Sequence, residues 1–138
     1  MNLVSLRIIT DDPKRLVHFY EQLTGIPAEW STEDFAELVT PSCTLAIAGV
    51  STMNLFGAGV VRPADNHSAI IEFLVDDVDQ EYARLEALIS DLVQPPTTMP
   101  WGNRSLLFRD PDGQLINLFT PISEAAIQKF NRRSGLGS

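Results

Sequence analysis

Few side chains in this sequence are of types that start covalent chemistry, and none of those has an obvious partner nearby in the chain. Cys43 opens an apolar stretch with no base near it, the setting of an inert thiol rather than a nucleophile. His18 lies beside Phe19-Tyr20 and His67 follows a loop, so both read as packing or structural histidines. There is no Cys-x-x-Cys, no glycine-rich phosphate loop and no serine elbow. Arg7 and Glu72 are more informative. They occupy the same place in two similar apolar stretches, Ser5-Leu6-Arg7-Ile8-Ile9 and Ile70-Ile71-Glu72-Phe73-Leu74. Strand alternation puts Ser5, Arg7 and Ile9 on one face, and Ile70, Glu72 and Leu74 on the equivalent face. A guanidinium and a carboxylate so placed bind a polar ligand group or move a proton, with Glu72 as candidate catalytic base. The same two groups also suit a structural ion pair in a sheet floor. Asn117 adds an amide that can donate and accept hydrogen bonds.

These residues need strands to hold them, and the pattern supplies them. Residues 3–9 are rich in aliphatic and β-branched types and read as a strand. Pro13 suits a first helical turn, and Leu16, Val17, Phe19, Tyr20 and Leu23 recur at helical spacing before Gly25 stops the helix. Residues 29–31, 35–40 and 44–49 read as three short strands. Residues 49–66 form a loop that carries apolar side chains, among them Phe56. A second strand over 69–75 leads to a helix over 78–89. A strand over 92–94 is expected to stop at Pro95-Pro96. Residues 104–108 and 114–119 form a hairpin around Asp110-Pro111-Asp112-Gly113. Ser123 caps a last helix through Arg132, with Ile127 and Phe130 as its apolar contacts and a frayed tail over 134–138.

The two halves repeat. Ile8-Ile9-Thr10-Asp11-Asp12 and Phe73-Leu74-Val75-Asp76-Asp77 end equivalent strands, at an offset of 65 (76 − 11). The order β-α-β-β-β occurs twice, which predicts an α+β fold of two such modules. The expected organisation is one domain over 1–122, with modules at 1–50 and 68–121, followed by a C-terminal helix and tail over 123–138.

The totals narrow the function classes. The 138 residues carry a formal net charge of −8, and the pI is about 4.5. An acidic surface repels phosphate backbones, so nucleic acid is not an expected partner. No apolar run is long enough to span a membrane, and no basic segment followed by an apolar run opens the chain. A single cysteine rules out an intrachain disulfide and fits the cytoplasm.

Several segments together carry a family resemblance. Residues 11–25 contain Phe19-Tyr20 and then Leu23-Thr24-Gly25. Val75-Asp76-Asp77-Val78-Asp79 leaves the second strand. Trp101-Gly102-Asn103-Arg104 precedes Phe108-Arg109-Asp110-Pro111-Asp112-Gly113-Gln114-Leu115-Ile116-Asn117-Leu118. In order and spacing they resemble the vicinal oxygen chelate superfamily, which includes glyoxalase I, extradiol dioxygenases and bleomycin-resistance proteins. The resemblance implies paired modules that form a cup-shaped mixed sheet. It also implies a divalent metal in the cup, held by His or Glu at positions that match Ser5, Ala46, Ile70 and Asn117 here. Those residue types do not form such a site, because alanine and isoleucine offer no donor atom. No metal or other cofactor is therefore expected.

The resemblance is thus to the metal-free, bleomycin-resistance-like branch. It implies a homodimer that sequesters a bulky or cationic small molecule. The alternative is a glyoxalase-type lyase, isomerase or dioxygenase-related enzyme acting on a small carbonyl or aromatic substrate. The residues expected to bind the ligand are Ser5, Arg7, Phe35, Phe56, Ile70, Glu72, Trp101, Arg104 and Asn117. Trp30 is a further aromatic expected near the cup mouth.

Overall fold

The computed structural model describes residues 1–136, with side chains through 132. The chain divides into two compact units, Met1–His67 with Asp110–Gln114 and Ser68–Arg109 with Leu115–Ser138.

The first unit opens with strand β1 (Ser5–Thr10) and helix α1 (Pro13–Thr24). Asp12 caps the helix, its Oδ1 accepting from the Arg15 N–H at 3.1 Å. Gly25 ends it with φ +71°, a left-handed cap that costs glycine nothing, and its N–H returns to Glu21 O at 2.8 Å. Strands β2 (Glu29–Thr32), β3 (Phe35–Val39) and β4 (Thr44–Gly49) complete a sheet of order β1-β4-β3-β2. β1 runs parallel to β4, with Arg7 opposite Ala46. β3 is antiparallel to β4, with Glu37 also opposite Ala46. Leu16, Val17, Tyr20 and Leu23 of α1 are buried, as are Ala36, Leu38, Leu45 and Ile47 of the sheet. The loop expected after β4 begins as a short 3-10 helix, Val50–Leu55.

The second unit repeats the plan with strand β5 (Ile70–Leu74) and helix α2 (Val78–Leu85), then strands β6 (Asp91–Thr98), β7 (Asn103–Arg109) and β8 (Leu115–Pro121). The sheet order is β5-β8-β7-β6, and Glu72 lies opposite Asn117. This matches the pairing of Arg7 with Ala46 in the first unit, so the repeat holds at the level of register. Two expectations change. α2 ends at Leu85 rather than Ile89; beyond it the Leu88 N–H makes a 3-10-type bond to Leu85 O (2.8 Å), which tightens the last turn, and the Ile89 N–H shares that carbonyl (3.0 Å). β6 continues through Pro95-Pro96. It is an edge strand with register shifts either side of Gln94, which removes the need for the proline N–H groups.

Helix α3 (Glu124–Leu136) closes the second unit. Ser123 caps it, its Oγ accepting from the Ala126 N–H at 3.1 Å. The inward-facing residues are Ala126 and Phe130; Ile127, expected inside, is exposed. The helix runs into the segment expected to fray, and residues 137–138 lie outside the described residues. Among the described residues, no helix is long and apolar enough to cross a membrane.

Candidate functional site

Each sheet has a helix side and an open face. In the second unit the even-numbered residues of β8 settle which is which. Ile116 and Leu118 are buried, and Thr120 Oγ1 accepts from the Val78 N–H at the start of α2 (3.0 Å). Asn117 and Phe119 therefore look the other way. The same alternation puts Ile70, Glu72 and Leu74 of β5 on the open face, with Glu72 directly across from Asn117.

The amide Nδ2 of Asn117 donates to Glu72 Oε2 at 2.8 Å. This fixes the amide orientation, because only its nitrogen can donate to a carboxylate. Asn117 Oδ1 is left buried with no hydrogen-bond partner. A buried acceptor without a donor costs about 1–3 kcal/mol, a cost that an incoming donor would relieve. Beside it stands the Glu72 carboxylate on an exposed residue. Ile70 and Leu74 flank Glu72 on the same strand face and are 51% and 56% exposed. The second sheet thus sets an exposed carboxylate beside a buried, unpartnered amide oxygen, among exposed aliphatic surface. Chemically, that suits a ligand with an apolar body and N–H donors or a positive charge.

In the first unit, the expected residues Ser5, Arg7 and Phe35 also share the open face. The Arg7 guanidinium lies over the Phe35 ring, 5.2 Å from its centroid. Glu37, which the sequence reading did not single out, shares that face opposite Ala46. Its signal was available, since alternation through Phe35, Glu37 and Val39 places it there. Arg7 and Glu72 each have a partner within their own sheet, Phe35 and Asn117 respectively.

Three aromatic or basic candidates are placed differently from one another. Phe56 ends the 3-10 helix of the first unit and is exposed. Trp101 is exposed in the turn between β6 and β7. Arg104 shares the helix side of β7 with Leu106 and Phe108. There it forks onto the Asp79 carboxylate of α2, with Nε to Oδ2 at 2.7 Å and Nη2 to Oδ1 at 3.0 Å. Asp79 is held below the usual carboxylate range by these bonds. Arg104 therefore secures α2 and does not guard the open face. Trp30 is also on a helix side, since it lies opposite the buried Ala36. With Lys14, Ser31, Thr32 and Glu33 it lines a separate open cleft of ≈ 320 Å³.

The four positions that match the family's metal ligands do not fit a metal. Ser5 lies opposite Thr44, not Ala46, and Ile70 lies opposite Leu115. Ala46 and Ile70 carry no donor atom. Among the described residues, no group of three or more His, Cys, Asp or Glu side chains could hold a metal ion.

Comparison with known proteins gives a consistent result. The model of the Glyoxalase/Bleomycin resistance protein/Dioxygenase superfamily matches residues 2–118. The uncharacterised protein YraH of Bacillus subtilis (strain 168) is 28% identical over 131 residues, covering 86% of this chain and 98% of that protein. A glyoxalase/bleomycin resistance protein/dioxygenase family enzyme from Burkholderia phytofirmans PsJN superposes with a TM-score of 0.79 at 18% identity, covering 88% of this chain and all (100%) of that one. A glyoxalase/bleomycin resistance protein/dioxygenase from Nocardioides gives a TM-score of 0.72 at 23% identity, over 90% and 85% of the two chains. At these identities the structural likeness establishes the fold.

Proposed function

The chain belongs to the Glyoxalase/Bleomycin resistance protein/Dioxygenase superfamily, and from that premise we propose that it binds and sequesters a cationic, apolar-bodied small molecule without using a metal. The observation that carries this reading is the buried, unpartnered Oδ1 of Asn117 beside the Glu72 carboxylate. Two neighbouring acceptors favour a ligand that brings donors, and the exposed Ile70 and Leu74 favour one with an apolar body. The net charge of −8 adds long-range attraction for a cation. The free Cys43 suits a reducing compartment such as the cytoplasm. A homodimer belongs to the same reading, since β1 and β5 each end a sheet with an outer edge to pair.

Calorimetry with benzamidine, a one-ring amidinium, tests the proposal, with benzoate as the control. Benzamidine is expected to bind, benzoate is not, and Glu72→Gln is expected to weaken benzamidine binding by about tenfold, or about 1.4 kcal/mol. Equal binding of benzoate, or an unchanged affinity in Glu72→Gln, would overturn it.

A second reading has one specific support. Glu72 is oriented by Asn117 through Oε2 only, which leaves its carboxylate available as a proton acceptor in a lyase- or isomerase-type reaction. Relatives described as family enzymes share the fold. Turnover of a carbonyl substrate that vanishes in Glu72→Gln would favour it over sequestration.

A further inference from the structure

Phe119 presents a puzzle that helix α3 resolves. It is two residues from Asn117 on β8 and so shares the open face, yet it is only 7% exposed. Ser105, directly opposite it on β7, is buried as well. On the neighbouring strand, Leu74 sits opposite Phe119 on the other flank and remains exposed. The burial is therefore local to the β7–β8 side of the face. The group that covers it is Phe130 of α3, whose ring packs against the Phe119 ring at 5.2 Å between centroids and 49° between planes.

The approach of α3 to this face is built in at its start. The carbonyl of Gly102 accepts from both the Ile122 N–H (2.9 Å) and the Ser123 N–H (3.0 Å). Gly102 has φ +96°, and a Cβ there would lie 2.0 Å from Ser123 Oγ and 3.3 Å from Ala126 Cβ. Only glycine lets the β6–β7 turn come this close to the first turn of the helix. Ala126, one turn in, is buried, and Phe130, four residues on, lies on the same helix face. The helix is thus anchored at residue 102 and laid over the sheet as far as Phe119.

Two residues along a strand span about 7 Å, roughly the length of one aromatic ring and its substituent. The Phe130 ring therefore closes the β8 side of the open face one residue pair beyond Glu72 and Asn117, while Leu74 leaves its β5 side open. We propose that α3 is a wall of the ligand site and that Phe130 sets the size of ligand the second unit takes. This rests on the reading that Glu72 and Asn117 bind a cation. On this proposal a one-ring cation held at Glu72 and Asn117 clears Phe130, and a plane of three fused rings centred there overlaps it. Phe130 acts as a specificity-determining residue and takes no part in proton transfer.

The test titrates benzamidine and proflavine, a three-ring cation, into the full chain and into Phe130→Ala, Phe130→Leu, Phe130→Trp and Glu72→Gln. The readout is the ratio of the two affinities, with circular dichroism confirming that each variant is folded. Phe130→Ala is expected to shift the ratio at least tenfold toward proflavine, Phe130→Leu by less, and Phe130→Trp in the opposite direction. The Leu and Trp variants keep a large apolar side chain, so they serve if the alanine variant does not fold. A ratio unchanged in all three, with Glu72→Gln still weakening both probes, overturns the wall and leaves the binding reading intact. Affinities unchanged in Glu72→Gln, or no binding of either probe, overturn the binding reading and the wall with it.

Discussion

The hydroxyl of Tyr20 donates to Asp110 Oδ2 at 2.7 Å, joining residues 90 positions apart. Asp110 is buried. Its other oxygen, Oδ1, accepts from the N–H groups of Asp112 (2.8 Å) and Gln114 (3.0 Å). One carboxylate thus shapes the Asp110-Pro111-Asp112-Gly113 turn and accepts from the hydroxyl of the α1 tyrosine. Although this turn connects β7 to β8, it belongs to the first unit.

Tyr20→Phe is expected to cost about 1.5–3 kcal/mol, the range for hydrogen bonds to charged groups, because it leaves a buried carboxylate oxygen without its donor. The cost should depend on pH. Burial, the largest influence, pushes the Asp110 carboxyl up, while the bonds from Tyr20 and from the backbone of Gln114 and Asp112 pull it down. The folded state therefore holds this proton more tightly than the unfolded chain. The contribution of Asp110 to stability is greatest below the ordinary carboxylate value and falls as pH rises through the raised one. Removing the Tyr20 bond raises the group further and widens that window. Denaturant unfolding should show a larger deficit for Tyr20→Phe at about pH 7 than at about pH 4; an equal deficit at both would contradict the assignment.

Gly102→Ala should destabilise the chain by more than about 1 kcal/mol, since alanine is strained at positive φ and its Cβ meets Ser123. The loss should be local at first. Hydrogen exchange over residues 124–132 is expected to accelerate before that of β7 and β8, and uniform acceleration would mean that α3 is not separately anchored there.

Arg104→Gln should leave benzamidine binding unchanged, because the Arg104–Asp79 fork lies on the helix side of the sheet. Its effect should appear in stability alone and shrink as salt is raised, as for any exposed ion pair. A loss of ligand affinity would return Arg104 to the binding surface.

Zinc-loaded and dialysed protein should retain far less than one metal per chain, because two of the four family positions, Ala46 and Ile70, offer no donor. Introducing Ile70→His with Asn117→Glu beside the existing Glu72 should raise retention measurably by elemental analysis. Stoichiometric zinc in the unaltered chain would refute the vacancy of these positions.

Much of this was legible in the residues themselves. Period-2 alternation located Arg7 and Glu72 on equivalent faces, and helical spacing between Pro13 and Gly25 bounded α1. These are local signals, set by side-chain direction along one element. The 65-residue offset marked Arg7 and Glu72 as repeat equivalents, and each stands at the same register position in its own sheet. Partner choice was not legible in this way. Arg104 was expected to bind the ligand, and the even-numbered face of β7 brings it to Asp79 of α2. The length of β6 ran past two prolines because an edge strand leaves their missing donors without consequence. That Tyr20 reaches Asp110, and that Phe130 covers Phe119 rather than meeting solvent, depends on how elements distant in sequence pack. The sequence by itself determined most of the elements and their faces, because each follows from residue type and spacing. Only the tertiary structure decided which polar atom stands unpartnered beside Glu72 and which helix covers Phe119, because those outcomes are set by packing between segments that carry no mutual signal along the chain.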